Sequence, residues 1–528
     1  MNSKIKLLSL LMIFSIVYLS SCKDDEIAEI KSANYSRNFS PVEVKAQPNQ
    51  TNVVLTWDKP LNATKETTYT IIVSQDTLFT NGPEKTFESA TNSLTILDSE
   101  IAVRKNYYAR VRANEEGDKV ESKWTNSKKF KITGEQYLKA LRYQDITSTT
   151  VDLYWAVPKE VSTITLNGVS YTISSSEKAD GHKQITGLKP STTYAVVIYS
   201  GTADKGTLSF DTKAGVPSGN IINVSPSQDL NALLAAATSG DIFVLEQGGK
   251  YSISTITLPN GSLTVFGAEG PNKPILNVTG QINLPTTGGV IKFQNIHFSG
   301  YANGDISGTK RNYVINQSAV TSIEELAFEN CEIRHLVNSP IRLQNKDNAK
   351  TIQKLTVNYC TVEDIGDNGT TGSYAFINNN VATSIIKNIS ITNSTFSKIG
   401  YSLIVHSASN SETVKISDCT FYNIIGDARF LVDYNTGSFG TLTIQNSIMG
   451  KTLSPAGSAG GIRGTGTSSI TNTYKTNDFI MSATNPLTGI KDYAGASTAL
   501  FVDPVANNFA FKDQSFVAKA SAGDPRWR

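Results

Sequence analysis

The chain has 528 residues, 39% of them hydrophobic and 18% charged, with a formal net charge of +2. That length allows about three domains and large cores, and the near-neutral balance excludes a general electrostatic attraction to nucleic acid. Without residues 1–21, which carry Lys4 and Lys6 and no acid, basic and acidic residues balance at 46 each. The 4 cysteines include no C-x-x-C, and no H-E-x-x-H occurs, so a zinc site has no support.

Lys4 and Lys6 precede an apolar run from Leu7 to Leu19, too short and wrongly flanked for a membrane span. Residues 1–21 therefore read as a lipoprotein signal peptide and 22–36 as a tether. Leu19-Ser20-Ser21-Cys22 resembles the bacterial lipobox, and Lys23-Asp24-Asp25-Glu26 resembles the surface-export signal of Bacteroidetes lipoproteins. The resemblance implies lipidation at Cys22 and an outer-membrane location facing the exterior, since acyl chains supply membrane affinity through buried CH₂ groups.

Residues 37–133 and 137–213 follow one plan. Val53-Val54-Leu55-Thr56-Trp57 alternates and ends on a tryptophan suited to an inter-sheet core, and Tyr107–Ala113 alternates again. Val151-Asp152-Leu153-Tyr154-Trp155 and the turn Gly187–Tyr194 repeat the pattern. Both segments resemble fibronectin type III sandwiches, a fold that predicts no single function. They read as spacers, and Ala214–Asn220 as the linker.

Residues 221–528 are read as a parallel β-helix. Asp229–Ala237 is a short Ala/Leu helix with Ser227 or Asp229 as N-cap. Gly240–Leu245 then starts a strand and Gly249-Lys250-Tyr251 turns out of it. A six-residue signature follows, starting at Phe293, Phe328, Val357, Ile391, Ile416 and Ile444. Its fourth places (Ile296, Cys331, Cys360, Ser394, Cys419, Ser447) are 35, 29, 34, 25 and 28 residues apart. Such a period means stacked units that cannot bury their apolar faces alone. The short β-branched runs favour strands over helices. The third-place Asn is expected to point inward and bond along the stack. Cys331, Cys360 and Cys419 are expected to be reduced, buried stack residues. The helix–strand–turn opening resembles the cap of pectate-lyase-like proteins. The tail, Ala499–Trp527, resembles that of uncharacterised Bacteroidetes β-helix lipoproteins. The fold class is thus all-β: two fibronectin type III-like sandwiches, then a right-handed, pectin-lyase-like parallel β-helix.

Site residues follow from aligning the coils. After each signature comes a second apolar run, and aligning those runs puts Gln344, Asn378, His406 and Asp433 in one outward column. Arg342 and Arg429 lie near it, and Tyr374 and Tyr434 offer stacking surface. Aligning the signatures puts His335, Asp364, Lys398 and Asn423 in a second column, beside Arg334, Glu363, Ser397 and Tyr422. β-helices present such columns to extended glycans. The expected function is surface glycan capture, with polysaccharide, the outer membrane and other glycan-uptake proteins as partners. The alternative is a polysaccharide lyase acting on uronates. In it Lys398, His406 and Arg429 supply base and counter-charge, and Glu363, Asp364 and Asp367 suit Ca²⁺. An adhesin or structural protein is the second alternative. No cofactor is assigned, and His182 and His297 read as surface residues.

Overall fold

The computed structural model describes residues 35–80, 85–301, 308–366, 374–454 and 457–528. The signal peptide, Cys22, most of the tether and Asp367 lie outside the described residues. By internal contacts the chain forms two units. The first runs to Leu141 and includes Asp152–Ile185 and Thr193–Asp211. The second comprises Arg142–Val151, Thr186–Thr192 and Thr212–Arg528.

In the first sandwich, Val42–Pro48, Asn52–Asp58 and Ser93–Leu97 form a three-stranded antiparallel sheet. Lys85–Ser89, Tyr69–Ser74, Tyr108–Ala113 and Thr125–Asn126 form a four-stranded one. The alternation buries Val53, Leu55 and Trp57, and Trp57 meets Tyr69 edge-on at 5.2 Å. The Ala102 N–H donates to the Tyr107 hydroxyl at 3.1 Å, a corner that fixes the late strand. In the second sandwich Val169–Thr172, Thr163–Leu166, Thr193–Ser200 and Ala203–Asp211 form one sheet. His182–Thr186 pairs with Thr150–Tyr154, and Trp155 is buried beside them.

From Asn220 the chain winds as a parallel β-helix with three faces. Face A starts with Asn220–Val224 and Asp241–Leu245 and continues through Thr321–Glu329, Lys350–Asn358 and Ser384–Thr392. Face B includes Lys250–Ile253, His297–Ser299, Glu332–Leu336, Thr361–Ile365, Thr395–Ile399 and Thr420–Ile424. Face C carries Ile315–Gln317, Ile341–Leu343, Ile377–Asn379 and Ile404–His406; Phe430–Gln445 passes through it into face A. Phe293, Phe328, Val357, Ile391, Ile416 and Ile444 stack one on the next, in the register of the signature. Phe293 and Phe328 lie ring on ring at 5.4 Å, as do Phe396 and Phe421. Each fully buried Phe contributes roughly 1.5–3 kcal/mol of transfer free energy.

Between faces A and B the chain turns on the signature's third and fourth places. The third place takes positive φ: 58° at Asn295, 51° at Asn330 and Asn393, 49° at Asn446. Asn tolerates the left-handed region that most L-residues avoid. These side chains sit at the corner, with Asn330, Asn393 and Asn446 partly exposed, not inward as the sequence reading expects. The amides still bond along the stack: Asn330 Nδ2 to Asn295 Oδ1 at 3.0 Å, and Asn393 Nδ2 to Asn358 Oδ1 at 2.9 Å. The fourth place turns inward. Cys331, Cys360, Ser394, Cys419 and Ser447 are buried, and the three cysteines are free. Serine hydroxyls accept from the coil before: Cys360 N–H to Ser394 Oγ at 2.9 Å, Cys419 N–H to Ser447 Oγ at 3.2 Å. Burial pushes the Cys331 and Cys419 thiols up, which keeps them protonated.

Asp229 caps the short helix Leu230–Ala235 by accepting from Asn231 N and Ala232 N. The Tyr251 hydroxyl donates to Val224 O at 2.6 Å and pins the first coil. At the other end, the antiparallel pair Phe501–Asp503 and Asn508–Phe511 packs with Phe516 and Ala522 on Tyr422, Ile448 and Tyr474 of face B.

Candidate functional site

Pairing across face C gives its true register. Ile341, Ile377, Ile404 and Val432 stack, so the outward column is Asn316, Arg342, Asn378, Val405, Asp433 and Arg463. The column expected from sequence is therefore corrected. His406 stacks on Asn379, faces the interior and is fully buried. Ile386 N–H donates to its Nε2 at 3.1 Å. Burial disfavours the imidazolium and lowers its pKa to about 4. Tyr434 is buried beside it at 5.2 Å with its hydroxyl on Ser411, so it offers no stacking surface. Gln344 lies past its strand end, out of line with Asn378. Asn378 and Asp433 do share the outward column but are nearly buried. Arg463 spends Asp433 in a two-pronged ion pair, Nε to Oδ1 at 2.8 Å and NH2 to Oδ2 at 2.7 Å.

Of the other expected residues, Arg342 and Tyr374 come into contact, and Arg429 stands further along the coils. Tyr374 and Arg429 stand at the corner between faces B and C, three residues before the stacked Ile377 and Val432. Tyr401 holds the same place before Ile404. The Arg342 guanidinium lies over Tyr374 at 4.9 Å and over Tyr313 at 5.2 Å, and donates to the Tyr313 hydroxyl at 2.6 Å. The Arg429 guanidinium lies over Tyr401 at 4.3 Å, and Arg463 lies over Phe430 at 4.3 Å. From Arg342 to Arg463 the column crosses four coil steps, roughly 19 Å at ~4.8 Å each. Arg342 and Arg429 have no ion pair among the described residues. The nearby Asp427 spends its carboxylate on Ser454 and Ser458. Tyr313, Tyr401, Phe430 and Arg463 escaped the sequence reading. The offset shared by Tyr374, Tyr401 and Arg429 is the signal that finds Tyr401, once the strand register is known.

The second column is in the expected register. Arg334 stacks on Glu363, Glu363 on Ser397 and Ser397 on Tyr422, and His335, Asp364, Lys398 and Asn423 share positive φ between them. Its charges are already matched. Asp364 accepts from His335 Nδ1 and Lys310 Nζ, both at 2.7 Å. Glu363 accepts from Lys398 Nζ at 2.8 Å and Asn507 Nδ2 at 2.6 Å. Burial would raise both carboxyls, but these donors hold them below their usual range. Ser397 and Tyr422 are not outward-open, because Tyr422 is buried against Phe509 of the tail segment. A positive φ that recurs at one place in four successive coils is architecture, not a sign of local chemistry. The lyase residues are dispersed: Lys398 on face B, His406 inside face C, Arg429 at the corner. Among the described residues no group of three or more side chains suited to a metal ion is gathered.

Two known families match parts of the β-helix: a domain of unknown function, DUF4957, over residues 249–399, and another, DUF5123, over residues 414–527. No curated protein matches the chain. Among solved structures the chain is similar to fibronectin type III arrays. The FN1–FN3 domains of chicken CNTN1 are 12% identical, at a TM-score of 0.16 over 34% of this chain and 65% of that one. A two-domain segment of chicken tenascin is 16% identical, at 0.19 over 33% and 99%. The central fibronectin-III array of RIM-binding protein is 16% identical, at 0.13 over 36% and 66%. The chain thus spans just under two thirds of the CNTN1 and RIM-binding protein structures.

Proposed function

We propose that the protein captures an anionic polysaccharide along the tyrosine–arginine strip of its β-helix, as a lipoprotein held at the outer face of an outer membrane by Cys22. The observation that carries this is the pair Arg342 and Arg429, neither in an ion pair among the described residues and both lying over tyrosine rings. A guanidinium lying over a ring leaves edge donors for a carboxylate, of which Arg342 gives one to the Tyr313 hydroxyl, and the ring offers stacking area to a sugar. Three coil steps between them match a polymer lying across the coils, not a single sugar. The matched charges of face B offer a ligand less, because each would have to give up an existing ion pair.

The test is electrophoresis through gels containing polygalacturonate or a neutral dextran. Retardation by the anionic gel alone is expected, weakening as salt rises. Arg342→Ala with Arg429→Ala should weaken it at least about tenfold, since hydrogen bonds to charged groups contribute roughly 1.5–3 kcal/mol each. Equal retardation in both gels, or a double variant that behaves as wild type, overturns the proposal. The anchor is checked separately: Cys22→Ala should move the protein from the membrane fraction to the soluble one, and retention in the membrane refutes it.

A further inference from the structure

The second unit holds a cavity of about 440 Å³ at the corner between faces A and B, lined by none of the strip's residues. That volume lies in the range of small-ligand sites. Tyr143 forms one wall, stacked on Tyr359 at 3.9 Å. The Lys213 ammonium lies over the other face of Tyr143, 3.8 Å from its centroid.

The charges around it are committed elsewhere. Glu269 accepts from the Ser148 N–H at 2.9 Å and its hydroxyl at 2.6 Å. Lys273 pairs with Glu332 at 3.5 Å, and Arg526 pairs with Asp524. Lys213 alone among these has no ion pair and no side-chain hydrogen bond among the described residues. A half-buried ammonium with three unspent donors can give them to a ligand that enters the cavity. We propose that this cavity binds one small carboxylate, of the size of a single sugar acid, with Lys213 as its counter-charge.

The choice of ligand follows from the lining. Both faces of Tyr143 are taken, so its ring offers no stacking surface. It offers one point cation and the side-chain amides of Gln144 and Asn272. That set suits a carboxylate on a hydroxylated body. Burial lowers the Lys213 pKa to about 8. Lys273 and Arg526 push it the same way, and Glu269 and Asp145 oppose them. Lys213 is therefore charged at neutral pH and loses its charge as pH rises through about 8.

The test is calorimetric titration of the full chain with glucuronate, glucose and inorganic phosphate. Glucuronate should bind and glucose should not. Lys213→Met should weaken glucuronate binding at least about tenfold, the cost of losing a charged hydrogen bond. Lys213→Arg should keep most of it, and Lys213→Met should leave retardation in the polygalacturonate gel unchanged, which separates this site from the strip. Affinity should fall as pH passes about 8. Glucose binding as well as glucuronate, Lys213→Met binding as wild type, phosphate binding with no glucuronate binding, or no binding at millimolar ligand would each overturn the proposal. Thermal melts of both Lys213 variants guard against reading misfolding as lost affinity.

Discussion

His406 is buried between Asn379 and Tyr434 and accepts the Ile386 N–H, so the fold holds it neutral. Burial lowers its pKa from 6.5 to about 4. An unfolded chain takes up a proton near pH 6.5, and the folded chain does not until about pH 4. The stability tied to the neutral ring is therefore complete above pH 6.5, falls as pH drops, and is gone by about pH 4. The interval corresponds to at most about 3 kcal/mol. Urea unfolding of wild type and His406→Gln, run at neutral and at acid pH, should show the wild type losing up to that much more than the variant. Glutamine can still accept from Ile386, so a stability difference that does not change with pH would refute this reading of His406. The same burial removes His406 from any role as an exposed glycan contact.

At the scale of the strand and the corner, legibility followed spacing. The signature always spans six residues from its first place to its last, so aligning one residue aligns them all: Phe293 over Phe328 over Val357 on face A, and Phe298 over Ile333 over Val362 on face B. His335 and Asp364 fell in line for that reason. On face C the apolar runs end at different places, Leu343 two residues past the stacked Ile341 and Val405 one past Ile404, whereas Ile377 and Val432 end theirs, so aligning run ends displaces Gln344 and His406. A one-residue slip exchanges the two faces of a strand. That slip is the distance between an outward His406 and the buried one. The third-place Asn was recognised, but its reason was not: a positive φ is a backbone demand that Asn meets without pointing inward. Tyr359 at the same place, φ 54°, shows that the corner demands a conformation and Asn only meets it most cheaply. The pairing of Glu363 is legible only in part: Lys398 and Arg334 stand beside it in the aligned columns, but the amide of Asn507, 144 residues on, leaves no signal in the repeat.

Across the whole β-helix, stability in a stack is mostly a sum over neighbouring coils, and a stack held only by neighbours frays from its ends. The last residues here work against that. Asp524 is fully buried and accepts from Thr395 Oγ1 at 2.6 Å, while its N–H donates to Thr420 Oγ1 at 2.9 Å. Arg526 pairs with Asp524 and also reaches Thr361 Oγ1 at 2.9 Å and Cys360 O at 2.7 Å. Trp527 donates to Thr395 Oγ1 at 2.8 Å, and Arg528 donates to Asp418 at 2.6 Å. Three successive strands of face B, Thr361–Ile365, Thr395–Ile399 and Thr420–Ile424, are thus tied by one short segment. Arg526→Met leaves the buried Asp524 without its cation, which should cost roughly 3–5 kcal/mol. Adding Asp524→Asn removes the orphaned charge, so the double variant should recover part of that loss. Urea unfolding measures the loss, and hydrogen exchange locates it, with the single variant opening first in those three strands. A stability loss below about 1 kcal/mol, or exchange that quickens elsewhere in the stack, would mean that the segment lies on face B without holding its coils together.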